Sequence, residues 1–120
     1  MTRFQITEAH AEAAANWWAK QWIPDDTRDA FRAAVRETLL EPDIGTGRDW
    51  YSNGRLLLAC DYDPQGPLLS AVKKVVPDCR GFLFSAKGLL YGKTYTWLAH
   101  DEIEACAGRG EPDEVIWRAK

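Results

Sequence analysis

Residues 7–22 read TEAHAEAAANWWAKQW and predict an amphipathic helix. Thr7 is a suitable N-cap, because its hydroxyl can accept a hydrogen bond from a free backbone N–H of the first turn. The apolar residues that share one face at helical spacing are Ala11, Ala14, Ala15, Trp18 and Trp22. We predict that both tryptophans of this face are buried, and that the small alanines allow another element to approach closely.

The same helix carries more aromatic surface than its apolar face can cover. Trp17 and Trp18 are adjacent, and adjacent helical residues point about 100° apart. One apolar stripe therefore holds one of them well and the other only at its edge. The chain has six tryptophans in 120 residues, and exposed tryptophan is a frequent anchor at protein interfaces. The aromatic content therefore favours a surface that contacts a partner.

The remainder of the chain predicts two further helices. The second covers residues 24–40. The third begins at Asp63-Pro64, where the aspartate caps the helix and the proline takes its first position, and it ends at Pro77.

The second half of the chain predicts a sheet, with strands at 55–61, 94–99 and 103–107. The dipeptide Asn53-Gly54 indicates either a hairpin or a bare turn into the first strand. Two shorter candidates are a strand at 82–84 and an edge strand or docked tail at 115–117. We therefore predict one α+β domain over residues 1–120, with two N-terminal helices and one mid-chain helix packed on a small, mainly antiparallel sheet.

The composition is ordinary for a soluble globular protein and excludes several classes. The net charge of -3 gives no general attraction to nucleic acid or to an anionic membrane. Apolar runs such as 56–60 are too short to span a membrane, and the N-terminus lacks the apolar core of a signal peptide. The three cysteines have no C-x-x-C spacing, which predicts buried or half-buried thiols rather than disulfides or a zinc site. We expect a cytoplasmic protein without membrane contact.

Three patterns that resemble catalytic or ligand-binding motifs each lack an essential part. In 88–94, GLLYGKT, three residues separate the glycines where a phosphate loop has four, and a strand rather than a helix follows. Residues 61–66, DYDPQG, match the start of a calcium loop, but Val72 stands where a bidentate glutamate is needed. Neither Cys79 nor Cys106 forms a recognisable catalytic signature with His100. We expect no cofactor, no metal ion and no catalytic site.

A partner interface is the use that the aromatic residues favour. The candidate contacts are four aromatic residues and two cations near them in sequence: Trp17, Trp50, Tyr95, Trp97, Lys87 and Lys93. Strand alternation puts Tyr95 and Trp97 on one face of the sheet and Leu98 on the other. If Leu98 faces the core, the aromatic pair points outward with a charged rim. If Trp97 faces the core instead, Trp17 or Trp50 takes the role of the exposed anchor.

The chain starts with ITEAHAEAAANWWA at residues 6–19 and carries Asp61-Tyr62-Asp63-Pro64 at its centre. Lys93-Thr94 then precedes an aromatic strand, and an acidic, glycine-rich segment follows at 108–114. In these blocks the chain resembles a family of small, mostly uncharacterised proteins of bacterial genomes and prophages, whose members begin with an Ile-Thr, a histidine and a Trp-Trp-Ala. This chain departs from the family in having Tyr91-Gly92 before the lysine, where Pro-Trp is expected.

The resemblance implies a mobile-element context rather than an enzymatic activity. Small phage proteins of this size often inhibit host defence systems, anti-CRISPR proteins among them. We therefore hypothesise a non-enzymatic protein-binding module that occludes a host protein. One alternative is a small enzyme or nucleotide binder that uses Lys93-Thr94. A second is a single-stranded nucleic-acid binder, in which the basic stretch 73–93 supplies cations and Tyr91, Tyr95 and Trp97 supply stacking rings; the acidic balance of the chain disfavours it.

Overall fold

The computed structural model describes residues 3–42, 44–45, 48–51, 53–79, 88–108 and 113–120. The helices are α1 (Glu8–Gln21), α2 (Arg28–Leu39) and α3 (Gly66–Val75), and a short 3-10 helix (Asp25–Thr27) leads into α2. The strands are β1 (Leu56–Asp61), β2 (Asp63–Gln65), β3 (Lys93–Leu98), β4 (Glu102–Cys106) and β5 (Glu114–Arg118). They form an antiparallel sheet in the order β2-β1-β3-β4-β5. The predicted α+β fold, with two N-terminal helices and one mid-chain helix packed on the sheet, is confirmed.

Helix α1 begins with a capping box. The Thr7 hydroxyl accepts a hydrogen bond from the backbone N–H of His10 at 3.4 Å, and Nδ1 of His10 accepts one from the backbone N–H of Thr7 at 3.1 Å. Histidine here takes the place that glutamate or glutamine usually holds in this motif. The helix ends at Gln21, just before Ile23-Pro24, because the residue before a proline is displaced from the helical region.

The inner face of α1 packs against α2 and the sheet. Trp18 is fully buried, and its indole Nε1–H donates a hydrogen bond to the hydroxyl of Thr96 at 2.9 Å. Trp22 is also buried, and its ring stacks on Phe31 of α2 with the centroids 4.1 Å apart. The prediction that both tryptophans are buried is confirmed, and the core also contains the three alanines of the same face: Ala11, Ala14 and Ala15.

The start of the third helix differs from the prediction. Asp63 and Pro64 do not cap a helix but form the edge strand β2, in which Pro64 pairs with Cys60 of β1. Proline is compatible with an edge strand, because its missing N–H can face away from the partner strand. Helix α3 begins at Gly66, and Pro67 takes the first-turn position that the sequence predicts for Pro64.

The Asn53-Gly54 dipeptide lies in a tight turn before β1. The backbone N–H of Tyr51 donates to the carbonyl of Arg55 at 2.8 Å, and Trp50 forms an isolated antiparallel bridge with Leu56. Gly54 has a φ of 84°, in the left-handed region that glycine adopts without strain. The first arm of the hairpin is therefore reduced to one bridge.

The C-terminal strand β5 lies at an edge of the sheet, where it pairs with β4. Of the two alternatives for residues 115–117, the edge strand is the one observed. Helix α1 contacts β5, so this strand covers one flank of the first helix. The predicted short strand at 82–84 lies outside the described residues.

Candidate functional site

The side chains of β3 alternate between a face of the sheet that the helices cover and an open face. Thr94, Thr96 and Leu98 are buried against the helices, whereas Tyr95 and Trp97 point to the other face and are half-buried. This is the arrangement predicted for the case in which Leu98 faces the core. The rings of Tyr95 and Trp97 stack, with centroids 5.8 Å apart and planes inclined by 29°.

Neighbouring strands extend this aromatic pair into an apolar surface. The register places residues of β1 and β4 on either side of the two rings, and a residue of β5 in the next row. Val115 is 39% exposed, whereas Ala59 is covered. We define the aromatic face as the six apolar residues that this register brings together on the open side of the sheet: Leu57, Ala59, Tyr95, Trp97, Cys106 and Val115.

Arg55 and Glu104 lie beside Trp97 at one end of the aromatic face. The guanidinium of Arg55 lies 5.7 Å from the centroid of the Trp97 ring, within the range of a cation–π interaction. The same guanidinium forms a 3.2 Å salt bridge with Glu104, the residue directly opposite Trp97 on β4. The indole therefore has a charged neighbour on each of two sides, which restricts its orientation.

Tyr95 lies diagonally across from Asp61 of β1 on the open side of the sheet. Burial, followed by the negative charge of Asp61, raises the pKa of Tyr95 above its ordinary value. The phenol consequently remains protonated at neutral pH.

Tyr62 is an exposed aromatic residue at the end of the aromatic face that the sequence analysis missed. It forms the turn between β1 and β2 with a φ of 67° and is 63% exposed. Positive φ is rare and costly for a bulky residue. Lys93 Nζ lies 5.9 Å from the centroid of its ring, and a Cβ on Gly92 would come within 2.9 Å of that ring. In the sequence, the indication of this turn is a tyrosine between two aspartates, because aspartate favours tight turns.

The charges around the aromatic face are mixed. Two ion pairs cross the open side of the sheet, from Arg55 to Glu104 and from Arg118 to Glu102 at 3.9 Å. The charged residues that the register places on this side are four carboxylates and three cations: Asp61, Asp63, Glu102, Glu104, Arg55, Lys93 and Arg118. The rim is therefore charged but has no positive excess.

Trp17 is buried, so its prediction as an exposed contact is wrong. Its side chain is 7% exposed, and its Nε1–H donates to Oε1 of Glu114 at 3.2 Å. Its ring also meets the ring of Trp18 edge to face at 5.2 Å. The physical reason is that β5, which is distant from α1 in sequence, packs on the flank of α1 that carries Trp17. The helical pattern alone leaves this flank exposed.

Trp50 is also buried, so it does not offer a surface to a partner either. It is 3% exposed, its Nε1–H donates to the carbonyl of Ile44 at 2.8 Å, and the ring of Phe4 meets it edge to face at 5.4 Å. The N-terminal segment covers it. Of the two predicted cations, Lys93 is exposed beside the aromatic face, whereas Lys87 lies outside the described residues.

The Lys93-Thr94 pair belongs to a strand rather than to a phosphate loop. Both residues begin β3, and Thr94 is buried. The Thr94 hydroxyl donates to the carbonyl of Tyr91 at 3.2 Å and accepts from the N–H of Gly108 at 3.1 Å. This hydroxyl is committed to backbone groups, and the residues that follow it continue as a strand and not as the helix N-terminus that cradles phosphate.

The part of the chain that the structure describes contains no group of three or more His, Cys, Asp or Glu side chains placed to hold a metal ion. Asp61 and Asp63, from the calcium-like pattern, face each other across the β1–β2 hairpin. All three cysteines are free, with Cys60 and Cys79 buried and Cys106 half-buried.

Cys60 is expected to resist alkylation in the folded protein. It is fully buried, and burial, followed by the charge of Asp63, raises its pKa to about 12. Only the thiolate reacts, so at about pH 8 the Cys60 thiol is both protonated and inaccessible. Iodoacetamide labelling followed by mass spectrometry should modify the half-buried Cys106 first and Cys60 only after unfolding. Equal labelling rates for the two cysteines in the native protein would contradict this assignment.

No protein-family model, curated protein or solved structure matches the chain. Within the described residues, no helix combines the length and the apolar character needed to cross a membrane. The function is therefore inferred from the geometry of the open face itself.

Proposed function

We propose that this protein is a non-enzymatic protein-binding module whose contact surface is the aromatic face. The observation that carries the proposal is the stacked Tyr95–Trp97 pair on the side of the sheet opposite the helices, with Arg55 beside the Trp97 ring. Tyrosine and tryptophan dominate interface hot spots. An apolar centre within a charged rim is also the usual anatomy of a protein interface.

The pre-organisation of the two rings favours binding. Free side chains lose rotamer freedom when a partner orders them, which lowers affinity. Here the stacking contact between the two rings and the Arg55 contact with Trp97 restrict the rings before any partner arrives. The two side chains therefore lose less rotamer freedom when a partner binds.

The charge of the rim favours a protein over a nucleic acid as the partner. Affinity for nucleic acid depends mainly on lysines and arginines that neutralise phosphates. Carboxylates outnumber cations around the aromatic face by four to three, and Arg55 is already paired with Glu104 at 3.2 Å. Stacking rings are present, but the electrostatic attraction that would bring a phosphate backbone to them is weak.

The resemblance to small prophage proteins supplies the biological setting of the proposal. In that setting the module acts in the cytoplasm, and its partner is a host defence protein whose working surface it covers. The aromatic face would form the centre of that contact, with the mixed rim selecting the partner by charge complementarity.

Capture from host lysate, followed by affinity measurements with the purified partner, tests this function. Trp97→Ala and Tyr95→Ala should each weaken binding by about 2 kcal/mol or more, roughly 30-fold in Kd, which is the range of interface hot spots. Ile23→Ala is the matched control, because Ile23 is 41% exposed and lies beyond the C-terminus of α1, away from the aromatic face. It should bind like the parent.

Circular dichroism must show that all three variants are folded. If folded Trp97→Ala and Tyr95→Ala bind the captured protein as tightly as the parent, the aromatic face is not the contact surface. A parallel titration with single-stranded oligonucleotides separates the alternative: binding that quenches tryptophan fluorescence and weakens steeply with salt would favour a nucleic-acid ligand instead.

A further inference from the structure

The charges on the open side of the sheet are balanced at one end only. The end beside Trp97 contains two ion pairs, which neutralise its arginines. At the other end, the β1–β2 hairpin places Asp61 directly opposite Asp63, and like charges in this position destabilise a strand pair. Neither carboxylate forms a salt bridge with a cation in the part of the chain that the structure describes. This end of the sheet therefore carries negative charge that no ion pair neutralises.

Two groups near the hairpin respond to this negative charge. Burial, followed by the charge of Asp61, raises the pKa of Tyr95. Burial, followed by the charges of Asp63 and Asp61, raises the pKa of Cys60 to about 12. In both cases the neighbouring carboxylates disfavour a second anion. The same field favours a cation that approaches this end of the sheet.

Tyr62 lies between the two aspartates and combines high exposure with a strained backbone. It is 63% exposed, and its φ of 67° is a conformation that glycine adopts without strain. Because so much of the ring is exposed, its burial does little to offset the strain. A contact outside the chain is a better reason for an aromatic side chain at this position. We define the acidic turn as Asp61, Tyr62 and Asp63.

A cation of the chain already lies at the acidic turn. Lys93 Nζ is 5.9 Å from the centroid of the Tyr62 ring, near the outer limit of a cation–π interaction. The register places Lys93 directly opposite Asp61, yet the two side chains form no salt bridge. Lys93 is also exposed. The ring thus accepts a positive charge, and the lysine that now supplies it is free to be displaced.

We propose that the acidic turn receives an arginine side chain of the protein partner, which displaces the Lys93 ammonium from the Tyr62 ring. The inference rests on the proposed function, because it assigns the chemistry of the partner at one end of the same contact surface. Arginine fits better than lysine, since its planar guanidinium can stack on an aromatic ring and donate to a carboxylate at the same time. The aromatic face, next to the acidic turn, contacts apolar side chains of the same partner.

NMR titration of the isotope-labelled protein with short peptides at low salt tests the proposal. The probe is an N-acetylated hexapeptide amide of alternating arginine and alanine, and the comparison peptides carry lysine or glutamate in place of arginine. The arginine peptide should shift the amide signals of the acidic turn, with a Kd about threefold lower than that of the lysine peptide. The glutamate peptide should leave these signals unchanged.

Variants of the acidic turn should weaken binding of the arginine peptide. The double variant Asp61→Asn/Asp63→Asn should raise the Kd about fivefold, through the loss of two exposed charge contacts. It should not lower the melting temperature, because it also removes the repulsion across the hairpin. Tyr62→Leu should raise the Kd about threefold, whereas Tyr62→Phe keeps the ring and should bind like the parent. Asp26→Asn is the matched control, an exposed carboxylate in the 3-10 helix before α2, and should not change the Kd.

Lys93→Ala should have the opposite effect, because it removes the cation that competes with the arginine. We expect the Kd of the arginine peptide to fall by about twofold or more. Lys20→Ala is the matched control, since Lys20 is an exposed lysine in the last turn of α1 and its loss changes the net charge equally. It should leave the Kd close to that of the parent.

Three results would overturn the proposal. The first is an arginine peptide that leaves the signals of the acidic turn unchanged or binds Asp61→Asn/Asp63→Asn as tightly as the parent. The second is a Lys93→Ala variant that binds this peptide no better than Lys20→Ala does. The third is a purified partner whose affinity falls with Trp97→Ala but not with the double aspartate variant, which would retain the aromatic face as the contact surface. An affinity for the partner that Trp97→Ala leaves unchanged refutes the proposed function instead.

Discussion

Trp18→Ala is expected to lower the free energy of unfolding by about 3–5 kcal/mol, the range observed for truncation of a buried aromatic side chain. Trp18 is fully buried, it meets the Trp17 ring edge to face, and its indole N–H is the donor to Thr96 at 2.9 Å. Its loss leaves a cavity between α1 and the sheet and a buried hydroxyl without that donor. Urea denaturation followed by circular dichroism measures the effect.

The matched control is Trp97→Ala, which truncates the same residue type on the open face. Trp97 is half-buried, so its variant should lose less than half as much stability. If Trp18→Ala does not fold, Trp18→Phe keeps the comparison measurable, because it should cost about 1–3 kcal/mol. Equal stability of Trp18→Ala and the parent would show that the inner face of α1 is not where the structure places it.

His10→Ala is expected to destabilise the protein by about 2–4 kcal/mol, since it removes the reciprocal hydrogen bond of the capping box and leaves a part-buried carbonyl without its donor. Nδ1 of His10 accepts from Thr7, and Nε2 donates to the carbonyl of His100 at 2.9 Å. The ring also lies between Phe4, at 5.0 Å, and Trp117, at 4.5 Å, measured between centroids. One side chain thus joins the start of α1, the β3–β4 turn and β5.

His100→Ala is the control for this prediction, because His100 is the other histidine of the chain and is exposed. It keeps its backbone carbonyl, so the hydrogen bond from His10 remains. Its cost should stay within about 0.5 kcal/mol, as for other surface substitutions. Thermal unfolding that lowers the melting temperature equally in both variants would refute the special role of His10.

Elements with strong local signals were predictable from the sequence. The periodic alanines and tryptophans of residues 7–22, together with the Thr7 cap, define α1 almost to the residue. The alternation Tyr95, Trp97 against Thr96, Leu98 likewise predicts two faces of a strand. In both cases the determining interactions lie within one or two turns of helix or one strand, so a linear pattern contains them.

The local signal was misleading where two structures satisfy it. Asp63-Pro64 is a good start for a helix, but it is also compatible with an edge strand, and pairing with β1 decides between them. The chain can reverse within one residue because Tyr62 adopts a φ of 67°. No local preference predicts that conformation for a tyrosine, since it is maintained by the hairpin around it.

The sequence by itself determined α1, α2, β1, β3 and β4 near their final bounds, together with the outward direction of Tyr95 and Trp97 in the case of a buried Leu98. Only the tertiary structure decided which aromatic residues are accessible. Trp17 is covered by Glu114 and Trp50 by Phe4, while Arg55 and Glu104 meet beside Trp97. The physical reason is that periodicity reports which side of an element is apolar, whereas exposure depends on which distant segment packs against that side, and strand order and register establish those contacts.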